Sequence, residues 1–130
     1  MEKIEVNPNE VGIWVGYIKP HKEPLENIIK IEGWKNIPPV PIFRLPEGYN
    51  HKFVLIDGHA RRDAAIITNS LLPCILYAQG ELINPAKDGL ASFGYQDRCS
   101  DSNFYQKIVA MYLVYENAPL IKKSSILNTS

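Results

Sequence analysis

A short stretch, Asp57-Gly58-His59-Ala60-Arg61-Arg62, gathers a carboxylate, an imidazole and two guanidiniums around one glycine. These residue types suit an anion. A glycine lets a ligand approach the backbone, and forked guanidinium donors match phosphate or carboxylate. The flanking residues say how the group is presented. Phe53-Val54-Leu55-Ile56 is an unbroken apolar run and reads as a buried strand, while Ala60 to Thr68 reads as helix, with small Ala64 and Ala65 free to pack closely. The group therefore falls on a strand-to-helix turn. The first turn of that helix leaves N–H groups unpaired and carries positive partial charge, which also favours an anion. Arg61 and Arg62 point about 100° apart on a helix, so at most one of them is expected to share a ligand with His59. Arg62 is expected to be solvated or paired with Asp63 or Glu81.

Composition sets the frame. The chain has 130 residues, formal net charge zero and an apolar fraction of 45%, which suits one globular domain and gives no whole-molecule field favouring DNA or anionic membrane. Cys74 and Cys99 form no CxxC pair and read as reduced thiols of an intracellular protein. His21, His51 and His59 are far apart without ligand spacing, which argues against structural zinc. The opening residues carry no apolar signal core and no run reaches membrane-spanning length, so the expected location is cytoplasmic.

In chain order, residues 1–10 are polar and expected to be a flexible segment. A single domain is expected over 11–120 and a flexible tail over 121–130. Val11 to Ile18 has strand composition, and Pro20 and Pro24 break it. Leu25, Ile28 and Ile29 recur at helical spacing, so 24–32 reads as a helix with Pro24 at its first position, ended by Gly33. Val40 to Leu45 reads as a strand, with Pro41 marking an edge strand or an early strand position. The turn at 46–51 joins it to the strand at 53–56 as in a hairpin, and Leu72 to Tyr77 is a further strand. Residues 79–94 read as loop holding a short helix. A last helix runs over 101–117, and its stripe of Phe104, Ile108, Met111, Tyr112 and Tyr115 is expected to be core or a homodimer face. The pattern as a whole is α+β, a mixed sheet flanked by helices.

Ile18-Lys19-Pro20-His21, the helix ending Glu32-Gly33, Pro39-Val40-Pro41-Ile42, then Val54-Leu55-Ile56-Asp57-Gly58-His59-x-Arg61 and Leu72-Pro73-Cys74-Ile75-Leu76 carry a family resemblance. Over roughly residues 11–80 the chain resembles the ParB-N/sulfiredoxin-like superfamily, most closely the DGHHR-type branch that includes free-serine kinases. The resemblance implies nucleotide binding, with ADP or ATP as ligand, CTP as the alternative, and Mg²⁺. It places Gly58, His59, Arg61 and Arg62 against phosphate and Asp57 against Mg²⁺ or substrate. The branch's Pro-His-Glu carries the general base. Here Pro20-His21 is followed by Lys22, so Glu23 is the candidate base for a small hydroxyl-bearing substrate, and His21 is a further candidate contact. Ala60 stands where that branch has a second histidine, and His59 stands where sulfiredoxins carry their nucleophilic cysteine. No basic recognition helix follows, as it does in partition proteins, and no paired-metal carboxylate cluster suggests a nuclease. Two functions are thus expected in order: a nucleotide-dependent phosphotransferase, and a non-catalytic accessory module binding nucleotide or DNA through the same turn.

Overall fold

The computed structural model describes residues 1–14, 24–91 and 103–117. In chain order it contains β1 (Glu2–Val6), a single 3₁₀ turn (Pro8–Glu10), β2 (Val11–Gly12), α1 (Leu25–Glu32), β3 (Val40–Arg44), β4 (Phe53–Leu55), α2 (His59–Ile67), β5 (Leu72–Tyr77), α3 (Pro85–Asp88) and α4 (Phe104–Asn117). The fold is α+β. Among the described residues the strands form one mixed sheet in the order β1-β5-β3-β4-β2.

Register explains how the sheet is put together. β3 and β4 are antiparallel, as a hairpin over 46–51 requires, with Phe43 opposite Val54. The chain then crosses through α2 to β5, which lies parallel to β3, pairing Val40 with Cys74. β2 runs parallel to β4 and β1 antiparallel to β5, so these two short strands close the edges.

Both faces are covered, which is why β3, β4 and β5 read as continuous apolar runs. Phe43, Val54, Ile56, Ile75 and Tyr77 point to one face and meet Phe104, Ile108, Val109 and Tyr112 of α4 together with Ile83 and Leu90. Val40, Ile42, Phe53, Leu55, Leu72 and Cys74 point to the other and meet Ala65 of α2. α1 packs on α2, so the order across the molecule is α4, sheet, then the α1–α2 layer. The expected α4 stripe is largely core. Phe104, Ile108 and Tyr112 are buried, and Met111 and Tyr115 are half-buried.

Three expectations change. Residues 1–10 are a strand and a 3₁₀ turn, with Ile4 and Val6 packing toward the apolar layer under α2. Of the two places open to Pro41 the structure takes the early strand position, second in β3, although that strand is central. Pro41 tolerates that place because its carbonyl still accepts from Ile56 N at 2.9 Å, so the pair with Ile56 lacks only the donor that proline cannot supply. Pro24 stands just before α1 rather than in it, and α2 begins one residue early, at His59. Of the expected strand 11–18, residues 15–18 lie outside the described residues, as do His21, Glu23, Cys99 and the tail from 118 onward.

Candidate functional site

The turn after β4 is built around Gly58. Its backbone has φ 101°, a left-handed conformation that side chains rarely adopt, and a Cβ there would overlap Val40 Cγ1. Both facts require glycine. The geometry lets the chain leave β4, turn over the start of β3 and enter α2 at once. The helix starts without a side-chain cap, and its first turn contains no acidic residue. Asp57 stands next to this helix end with its side chain 39% exposed and turns instead to Arg61, whose Nη2 lies 3.8 Å from Asp57 Oδ2.

The two arginines go separate ways, as their angular spacing requires. Arg61 donates through Nη1 to the carbonyls of Pro38 at 2.9 Å and Pro39 at 3.0 Å, while Nη2 stays beside Gly58 and Asp57. Burial lowers the pKa of this guanidinium and Asp57 opposes the shift. Arg62 donates through Nε to Val11 O at 3.0 Å and pairs with Asp63 at 3.3 Å. Of the two acidic partners expected for Arg62, Asp63 is the one it meets. Glu81 instead accepts from Ala78 N and pairs with the terminal ammonium. Both arginines therefore fasten chain segments: Arg61 holds the loop before β3, and Arg62 holds β2.

His59 lies beneath the turn. Trp14 meets it edge-on, with ring centroids 5.3 Å apart, and the Trp14 indole N–H donates to Leu55 O at 2.6 Å. His59 Nε2 is buried and has no hydrogen-bond partner among the described residues. Burial, helped by the nearby charge of Arg62, pushes its pKa down to about 4, so the imidazole is neutral at pH 7. It brings shape and one polar atom to the site rather than charge.

Of the expected site residues, Asp57, Gly58, His59 and Arg61 are brought together at one turn, and Arg62 faces away toward β2. His21 and Glu23 lie outside the described residues. Asp57 offers Mg²⁺ a single carboxylate, with the Arg61 cation beside it. Among the described residues no group of three or more potential ligand side chains gathers. Any magnesium there would take its remaining ligands from phosphate and water. Cys74 is buried, donates its thiol to Leu72 O at 3.3 Å, and has its pKa pushed up to about 12 by burial, which makes it inert as a nucleophile. Trp14 and the carbonyls of Pro38 and Pro39 are the participants that sequence reading missed. The Pro-Pro pair was the available signal, because two successive prolines present carbonyls without competing N–H groups.

No protein-family model matches the chain, and no curated protein matches it. Among the described residues no helix is long and apolar enough to cross a membrane.

Proposed function

We propose that this protein binds a nucleotide through phosphate contacts at the start of α2, as its resemblance to the ParB-N/sulfiredoxin-like superfamily implies. ADP or ATP is the leading ligand and CTP the alternative. The observation that carries this reading is the bare helix start: α2 begins after Gly58 with no side-chain cap and no acidic residue in its first turn. Its leading N–H groups and the positive end of its dipole are then available to an external anion. In this reading the contacts are made by main-chain N–H groups, while Arg61, tied to Pro38 and Pro39, adds a fixed positive charge beside Gly58. Asp57, facing solvent at the same turn, would position Mg²⁺ or a hydroxyl for phosphoryl transfer to a small acceptor, with Glu23 as base.

A second reading, a non-catalytic accessory module, is favoured by the commitment of both guanidiniums to backbone carbonyls. It leaves nucleotide binding in place and removes turnover. DNA binding through this turn is the least favoured version, since neither arginine is free to clamp a backbone phosphate.

The test is a thermal-shift panel of ATP, ADP, CTP and GTP, with and without Mg²⁺, on the native chain and on Ala60→Asp. A ligand at about 100 times its Kd stabilises the native state by about 2.7 kcal/mol. Aspartate at position 60 supplies the missing acidic group to the first turn, so it should raise unliganded stability by about 0.3–1 kcal/mol while blocking the anion. Absence of a shift with every nucleotide, or undiminished binding by Ala60→Asp, refutes the reading. ADP release in the presence of hydroxyl acceptors then separates enzyme from module.

A further inference from the structure

A second polar cluster lies away from the turn, where α4 meets the sheet. His51, just before β4, places Nδ1 2.7 Å from the Tyr112 hydroxyl and 3.7 Å from Glu116 Oε1, so one imidazole nitrogen faces two groups on successive turns of α4. The Tyr112 ring is 1% exposed and lies against Gly12, where a Cβ would overlap its Cε2 and sit 3.2 Å from His51 Cγ. Tyr49 stacks on the same ring with planes 14° apart, and Asn50 Nδ2 reaches Glu116 Oε2 at 3.5 Å. The bare backbone of β2 and the residues 49–51 thus form a slot for Tyr112.

The charged surroundings come from every neighbouring element. α4 contributes Glu116 and the phenols of Tyr112 and Tyr115. α2 contributes Arg62, whose charge acts on both His51 and Tyr115, and Asp63, which pairs with Arg62 and acts on Tyr115. Beside His51 on its own segment, Lys52 is paired with Glu10 at 3.3 Å, and Tyr49 acts on Tyr112.

We propose that His51 is a proton-operated latch for α4. While the imidazole is neutral, Nδ1 accepts the Tyr112 O–H, and Glu116 at 3.7 Å is too distant to compete. Once protonated, Nδ1 becomes a donor, turns to Glu116, and leaves the Tyr112 hydroxyl without its acceptor in a buried slot. Burial holds the His51 pKa below 6.5, with Arg62 acting in the same direction and Glu116 against it. An undocked His51 takes up its proton near pH 6.5, so docking of α4 is complete above that pH and weakens as pH falls below it. This inference is independent of nucleotide binding.

Amide exchange and imidazole NMR test it. In the native chain, protection of α4 amides relative to those of β5 falls between pH 7.5 and pH 5, with a ceiling of about 30-fold set by an undocked histidine of ordinary pKa. His51→Asn keeps an acceptor near the Nδ1 position and cannot titrate, so its ratio stays constant. Long-range ¹H–¹⁵N spectra at pH 7.5 show the proton of His51 on Nε2. Glu116→Gln, a change on a part-exposed side chain, moves the His51 midpoint further down. A pH-independent ratio in the native chain, an equal fall in His51→Asn, a proton on Nδ1 at pH 7.5, or an unmoved or raised midpoint in Glu116→Gln each overturns the latch.

Discussion

His59 makes the protein acid-sensitive, and the size of the effect follows from its burial. Its folded pKa is about 4, against an ordinary value of 6.5, because the ring is desolvated beneath Trp14 and Arg62 stands close by. Between those two values the unfolded chain holds the proton more readily than the folded one. Stability is therefore full above pH 6.5, declines as pH falls through the interval, and levels off below about 4. Linkage gives a loss of about 1 kcal/mol at pH 5.5 and about 2–3 kcal/mol at pH 4.5. That is a large share of the total for a domain of this size. The assay is urea unfolding followed by tryptophan fluorescence at pH 7.5, 5.5 and 4.5, on the native chain and His59→Leu. Leucine cannot titrate and removes the buried Nε2 that has no partner among the described residues, so the variant should match or exceed the native chain at pH 7.5. It should then lose about 2–3 kcal/mol less than the native chain on going to pH 4.5. The comparison cancels the contribution of His51, which both proteins keep. If His59→Leu loses as much stability as the native chain by pH 4.5, His59 is not the buried neutral histidine described above.

Three further substitutions probe the same architecture by urea unfolding at pH 7.5. Gly58→Ala should cost about 2–4 kcal/mol, from the left-handed backbone and the overlap with Val40; a loss under about 0.5 kcal/mol would mean that the turn relaxes freely. Arg62→Ala should cost about 1–3 kcal/mol by leaving the Val11 carbonyl without its donor, yet leave nucleotide affinity unchanged in calorimetry, because Arg62 turns away from Gly58. Gly12→Ala should cost about 1–3 kcal/mol and raise amide exchange in α4 more than in β5, since the added methyl enters the Tyr112 slot.

The parts that sequence revealed are those fixed by local chemistry. Phe53 to Leu55 had to be a buried strand, and Asp57-Gly58 had to break it, because apolar run length and glycine act within a few residues. The separation of Arg61 from Arg62 followed from helix geometry alone. Their partners did not, because the carbonyls of Pro38, Pro39 and Val11 are main-chain atoms that every residue possesses. β1 was illegible for a related reason. Glu2, Lys3 and Glu5 read as a polar tail, and only pairing with β5, some seventy residues away, makes Ile4 and Val6 the inner face of a strand. Pro41 was half legible: an early strand position was one of its two expected places, and the carbonyl that ties it to Ile56 N is again a main-chain atom.

β1 also has a protective consequence. Leu72-Pro73-Cys74-Ile75-Leu76-Tyr77 is an apolar strand, and β1 covers one side of it from Leu72 to Leu76, in register with Val6 back to Glu2. With β1 in place, the outermost strand of that edge carries Glu2, Lys3 and Glu5, charges that discourage another chain from adding on. Strip the chain back to Val6 and the apolar strand becomes the edge, with unpaired backbone groups along its length. Such an edge is a template for intermolecular pairing. The first six residues therefore act as a gatekeeper against aggregation, one whose loss would show as turbidity before any loss of secondary structure.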